Sequence, residues 1–170
     1  MKLLIISLPR TGSSTLLFKL AEEKKLKPIY EPFHDGTNQF KNWTYNPNED
    51  NIIVKTIINQ HQNNLDLVKE FDEVILLSRR DLKECAESYA YFMVNVRDGF
   101  QSWQEYYYDN ITESDYMYAL NLISKMNEDI QIISNELNIP ITYYEDLFDI
   151  GSEERLRKYS TKEVKKKKMI

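Results

Sequence analysis

Three short stretches of this chain are rich in apolar, largely β-branched or leucine residues: Leu3-Leu4-Ile5-Ile6-Ser7, Ile52 to Ile58 (interrupted only by Lys55 and Thr56), and Val74-Ile75-Leu76-Leu77-Ser78. A half-buried strand alternates apolar and polar residues. A run with no alternation needs cover on both faces, as in a central parallel strand. Between and after these runs the apolar residues recur at helical spacing, as at Leu16, Leu17, Leu20 and Ala21, and at Leu120, Ile123, Met126, Ile130 and Ile133. Strand–helix alternation of this kind predicts an α/β fold, P-loop-like, in three α/β/α layers around a central parallel sheet.

The expected elements follow. Leu3–Ser7 is a strand. A helix capped by Ser13 or Ser14 runs to Ala21 and dissolves over Glu22 to Lys25. Pro28–Glu31 is a second strand, and residues 35–51, rich in Gly, Pro, Asn and Asp, form a loop or lid. Ile52–Ile58 is a third strand, followed by a weak helix near Leu65–Phe71. Val74–Ser78 is a fourth strand, with a helix from about Asp81 to Val96. An irregular aromatic stretch spans 99–114, and a helix covers Asp115–Leu137. Pro140 opens a last strand, Ile141–Tyr144. Residues 149–170, with four lysines in a row at 165–168, form a helical or frayed tail. No internal repeat or linker divides the 170 residues, so they are read as one domain.

Composition excludes several functions. The net charge of −5 argues against a general nucleic-acid binder. One cysteine, Cys85, rules out an internal disulfide, and its expected place is a buried helix position. The N-terminal apolar run stops at Pro9-Arg10, short of a signal peptide or membrane span. A cytoplasmic chain with no membrane partner is therefore expected, and the sequons at Asn42 and Asn110 are read as chance.

In parallel sheets ligands sit beyond the carboxyl ends of the strands, and the chemistry-bearing residues cluster there. After the first strand comes Pro9-Arg10-Thr11-Gly12-Ser13-Ser14-Thr15. Gly12 permits a tight turn and close approach to a ligand, and the first helical turn offers unpaired amides to an anion. Ser13, Ser14 and Thr15 add hydroxyl donors, and Arg10 adds a charge. A plain strand-to-helix turn with a serine cap is the simpler reading of this loop. No lysine follows Gly12, so a conventional ATP or GTP loop is disfavoured. After the fourth strand come Arg79 and Arg80, with Ser88 eight residues beyond Arg80. An arginine there can clamp an anion bidentately.

The loop Pro9–Leu17 resembles the 5′-phosphosulfate loop of sulfotransferases, in the Arg-Thr-Gly-Ser-Ser form of the carbohydrate branch. The stretch from Val74 to Phe92 resembles the family's 3′-phosphate site, whose arginine–serine spacing selects Arg80 over Arg79 as the partner of Ser88. Leu82 stands where the family often has proline. Tyr30-Glu31-Pro32-Phe33-His34, Val54-Lys55-Thr56 and Tyr143-Tyr144-Glu145-Asp146-Leu147 resemble later family elements in the same order. The resemblance covers residues 5 to about 148. It implies binding of 3′-phosphoadenosine 5′-phosphosulfate (PAPS) by Arg10, Thr11, Gly12, Ser13, Ser14, Thr15, Arg80 and Ser88. It further implies sulfuryl transfer to a hydroxyl or amine of a small molecule or carbohydrate, with adenosine 3′,5′-bisphosphate as product and no metal. Lys55 is then a second cation beside Arg10, and Glu31 the general base, with His34 as rival. Arg155, Arg157 or Lys158 could stand in for the family's basic C-terminal loop, which the chain lacks. The competing readings are a P-loop-like nucleotide kinase and a non-catalytic nucleotide-binding relative. The aromatic residues Trp103, Tyr106, Tyr107, Tyr108, Tyr116 and Tyr118 are read as core or interface rather than an acceptor platform.

Overall fold

In the computed structural model, which describes residues 1–34, 43–97 and 111–147, strand β1 (Lys2–Ser7) forms the middle of a five-stranded parallel sheet. β2 (Lys27–Tyr30) and β3 (Ile52–Ile57) lie to one side, and β4 (Glu73–Ser78) and β5 (Ile141–Tyr143) to the other. The order is β2-β3-β1-β4-β5, with every neighbouring pair parallel. The ladder runs past the strand ends through Leu8 N–H to Leu77 O at 3.1 Å and Ile58 N–H to Ser7 O at 3.0 Å. All strand carboxyl termini thus open on one edge.

The apolar runs are explained by two cores. Leu4, Ile6, Val54 and Leu76 face α2 (Asn64–Val68), α3 (Leu82–Arg97) and α4 (Glu113–Leu137). Leu3, Ile5, Ile53 and Leu77 face α1 (Ser13–Lys24) through its Leu16, Leu17 and Ala21. Successive strand residues point to opposite faces, so each run fills both cores at once. Fully burying one such side chain contributes about 1.5–3 kcal/mol. The three-layer α/β/α architecture follows. A last short helix, α5 (Tyr144–Leu147), leaves β5 at once.

Local chemistry sets the helix ends, in places differently from the sequence reading. The N-cap of α1 is Gly12, at φ 68° and without a side-chain cap, rather than Ser13 or Ser14. A left-handed φ at this position suits glycine, and Ser13 is buried instead of capping. The helix also continues through Glu22 and ends on left-handed Lys25, whose amide reaches the Ala21 and Glu22 carbonyls. The second strand is Lys27–Tyr30, which leaves Glu31 just past its end, and α2 is shorter than expected. Asp81 Oδ1 accepts from the Glu84 amide at 2.9 Å and opens α3. Thr112 and Asp115 form a reciprocal capping box on α4. Cys85 is buried on α3 as expected. Tyr116 packs against the larger core, whereas Tyr118 is exposed.

Trp103, Tyr106, Tyr107, Tyr108, the sequon asparagines Asn42 and Asn110, the tail with Arg155, Arg157 and Lys158, and residues 35–42 of the proposed lid lie outside the described residues. Among the described residues no helix is long and apolar enough to cross a membrane.

Candidate functional site

The carboxyl edge of the sheet gathers three groups of polar residues. The first is the loop between β1 and α1. Its turn rests on two left-handed residues, Arg10 at φ 63° and Gly12 at φ 68°. The first intrahelical bond of α1 is Leu16 N–H to Gly12 O at 3.0 Å, so the amides of Ser13, Ser14 and Thr15 have no acceptor within the helix. Of the loop hydroxyls, Thr15 is exposed and Ser14 donates to the Tyr30 phenol oxygen at 3.2 Å. Thr11 is fully buried and its Oγ1 donates to Leu8 O at 2.8 Å, so its hydroxyl braces the loop from within.

Arg10 links the first group to the helix after β4. Its Nε donates to Ser88 Oγ at 3.0 Å, across a sequence separation of 78 residues. The Cys85 thiol, one turn earlier on α3, donates to Pro9 O at 3.2 Å. Burial pushes this thiol up to about 12, so it serves as a neutral donor. The two sequence elements read as anion-binding therefore meet, through Arg10 and Ser88.

Arg80 does not join them. Its guanidinium makes two bonds to the Asp146 carboxylate, at 2.6 and 2.7 Å, and lies 4.4 Å from the Tyr143 ring centre. It faces an open cleft of about 340 Å³ lined also by Arg79, Leu82, Asn127, Gln131 and Tyr143. Arg79 is the residue turned to the loop. It donates to the Arg10 carbonyl at 3.4 Å, pairs with Glu84 at 2.8 Å and lies 4.6 Å from the Tyr144 ring. Counting eight residues back from Ser88 selects Arg80, but the side chain one position earlier points inward. The run Tyr143-Tyr144-Glu145-Asp146 explains both choices. Its two rings stack on the two arginines, Asp146 takes Arg80, and Glu145 accepts the amides of Arg80 and Asp81 at 3.1 and 3.3 Å. The acidic pair in that run was the available sign that one arginine would be claimed.

The third group lies at the ends of β2 and β3. Tyr30 and Lys55 are register partners, and Glu31 N–H extends the ladder to Lys55 O at 2.8 Å. Lys55 is 2% exposed and Glu31 8% exposed, and the Lys55 ammonium donates to Glu31 Oε1. The same ammonium lies 4.5 Å from the Tyr30 ring centre. Burial pushes the Lys55 ammonium below the ordinary lysine range, and Glu31 opposes this. Burial and the Glu31 charge push the Tyr30 phenol up to about 12. Glu31 is left-handed at φ 44° although it precedes Pro32, a position that disfavours compact backbone. A turn from Glu31 O to His34 N–H, at 3.2 Å, brings His34 to the same edge.

Gln60 is the member sequence reasoning missed. Its Nε2 donates to Glu31 Oε2 at 2.8 Å. A tight turn, Gln60 N–H to Ile57 O at 2.9 Å, folds it back against β3. Nothing in the polar stretch from Asn59 to Asn64 singles it out in the sequence.

The arrangement therefore offers helix amides, Arg10 and Ser88 for an anion, with a buried cation–carboxylate pair alongside. Among the described residues, no group of three or more His, Cys, Asp or Glu side chains could hold a metal ion. No family model matches the chain, and no curated protein matches it. Among solved structures it is similar to the YorR protein of Bacillus subtilis, solved in complex with phosphorylated GDP, at a TM-score of 0.42 and 12% identity over 94% of each chain.

Proposed function

We propose that the chain binds a phosphorylated nucleotide at the Pro9–Thr15 loop, and that this nucleotide is PAPS, whose sulfuryl group passes to a hydroxyl or amine acceptor. The observation that carries the reading is the Arg10–Ser88 hydrogen bond, which joins the loop after β1 to the helix after β4. A ligand anionic at both ends needs donors from both. The α1 amides and Arg10 hold the 5′ end, and Ser88 lies on the side of the 3′-phosphate.

Lys55 and Glu31 divide the chemistry. In the transfer, the sulfur–oxygen bond to the 5′-phosphate breaks with its electron pair left on the phosphate oxygen, while a bond from sulfur to the acceptor forms. Positioned cations stabilise the charge that gathers on the leaving group. Lys55 exchanges its contact with Glu31 Oε1 for an oxygen of the transferred group. That frees Oε1 to accept the acceptor's proton. His34 is the alternative base on the same edge. Glu31→Gln and His34→Ala separate them, since the variant that loses turnover and keeps nucleotide affinity marks the base.

A non-catalytic nucleotide holder is the second reading. It is favoured by the engagement of Arg80 with Asp146 and of Lys55 with Glu31. Thermal shift discriminates between the readings. Adenosine 3′,5′-bisphosphate at a hundredfold excess over its Kd stabilises the fold by about 2.7 kcal/mol. ATP with Mg²⁺ is expected to do little. If ATP with Mg²⁺ gives the larger shift, PAPS is the wrong ligand. If only the bisphosphate acts and no acceptor in a broad panel is sulfated, the holder reading replaces the enzyme.

A further inference from the structure

Glu31 must keep its aim while its lysine changes partner, and something other than Lys55 must hold it. We propose that Gln60 is the positioning residue that fixes the Glu31 carboxylate. This assignment rests on the Glu31–Lys55 chemistry just described.

The orientation of the Gln60 amide is set by its surroundings. The Ile57 backbone N–H, 2.9 Å away, can only donate, so the atom facing it is Oε1. The Thr56 hydroxyl approaches the same oxygen at 3.3 Å. Nε2 is thereby turned outward to Glu31 Oε2 at 2.8 Å. Because Thr56 and Ile57 directly follow Lys55 on β3, Gln60 ties Glu31 to the strand that carries its partner. The two carboxylate oxygens are divided, Oε1 for the lysine and Oε2 for the amide. When Lys55 leaves Oε1, the bond to Oε2 still holds the carboxylate in register.

Other groups face this carboxylate and share its field. The Tyr30 phenol hydrogen-bonds it from β2, Arg10 acts on Lys55 and Tyr30 from the loop, and Tyr89 on α3 feels the Glu31 charge. Of these, Gln60 is the neutral donor whose own acceptor is locked by the backbone of β3.

Gln60→Met keeps the length and removes both roles of the amide. Gln60→Glu keeps an acceptor for the Ile57 amide and removes the donor, so it serves if the first variant fails to fold. Two readouts are needed. The first is the Lys55 ammonium cross-peak in a ¹H–¹⁵N correlation spectrum of the ligand-free protein. A held Glu31 keeps that buried ammonium slow to exchange, and the cross-peak is expected to be lost in both variants. The second is turnover with PAPS, in which kcat falls on the order of 100-fold while the affinity for adenosine 3′,5′-bisphosphate is unchanged. A cross-peak unaltered in a folded variant overturns the proposal, as does a lost cross-peak with wild-type kcat. If the wild-type protein transfers no sulfuryl group, the enzyme reading fails by itself, and the cross-peak comparison still decides whether Gln60 holds Glu31.

Discussion

The two sides of the carboxyl edge use the same chemistry, a cation bonded to a carboxylate beneath an aromatic ring, in opposite settings. At the ends of β2 and β3, Lys55 and Glu31 are buried, with Lys55 2% exposed and its ammonium against the half-buried Tyr30 ring. Beyond β4 and β5, Arg80 and Asp146 are each 53% exposed, with Tyr143 against the arginine. Water weakens an exposed pair and makes its partners exchangeable, whereas a buried pair is strong as a unit and damaging when halved. Exchangeable contacts therefore suit the Arg80 side, and a fixed geometry suits the Lys55 side.

The comparison breaks first if the buried pair proves dispensable. Lys55→Met leaves a carboxylate buried without its cation and is expected to cost about 3–5 kcal/mol, measured by urea unfolding. Glu31→Leu combined with Lys55→Met removes both charges and is expected to recover most of that loss. A Lys55→Met protein as stable as wild type would mean that water reaches this pair after all.

An intermediate effect tests the boundary between the two sides. Arg79 pairs with Glu84, reaches the Arg10 carbonyl and is 11% exposed. Arg79→Ala is expected to cost about 1.5–3 kcal/mol, the range for hydrogen bonds to charged groups, and to weaken nucleotide binding by loosening the loop. Calorimetric titration with adenosine 3′,5′-bisphosphate checks the second part.

The smallest structural effect belongs to the exposed side. Asp146→Asn is expected to leave the melting temperature unchanged. It also releases the Arg80 guanidinium from both of its bonds to the Asp146 carboxylate and leaves it open to an added anion. Affinity for the bisphosphate is then expected to rise several-fold, more so at low salt. An affinity that falls instead would make Asp146 a support for Arg80 rather than its competitor.

The layers of the fold were legible because unbroken runs such as Leu3–Ser7 have only one good solution, burial on both faces. That the loop after β1 and the helix after β4 share one edge was legible for a related reason, since both follow central strands; the Arg10–Ser88 bond itself was not, because the spacing paired Ser88 with Arg80. The bond of Arg80 to Asp146 was not legible, because residue spacing fixes a backbone position and leaves side-chain direction open. Asp146, 66 residues further on, decides that direction. The bracing role of Thr11 was not legible, since a hydroxyl in a loop can bond the loop's own backbone as readily as anything outside it. Gln60 left no trace, since its role depends on a turn that returns it to the amide of Ile57, and glutamine has no periodic or compositional mark.

Arg10 and Glu31 both hold left-handed backbone with a full side chain attached, where glycine would sit without strain. Such a conformation is retained against a local penalty of order 1–3 kcal/mol. Replacing either residue by glycine should therefore relax the main chain while it deletes the charged group. The resulting protein would be easier to fold at that point and poorer at whatever the charge is there to do.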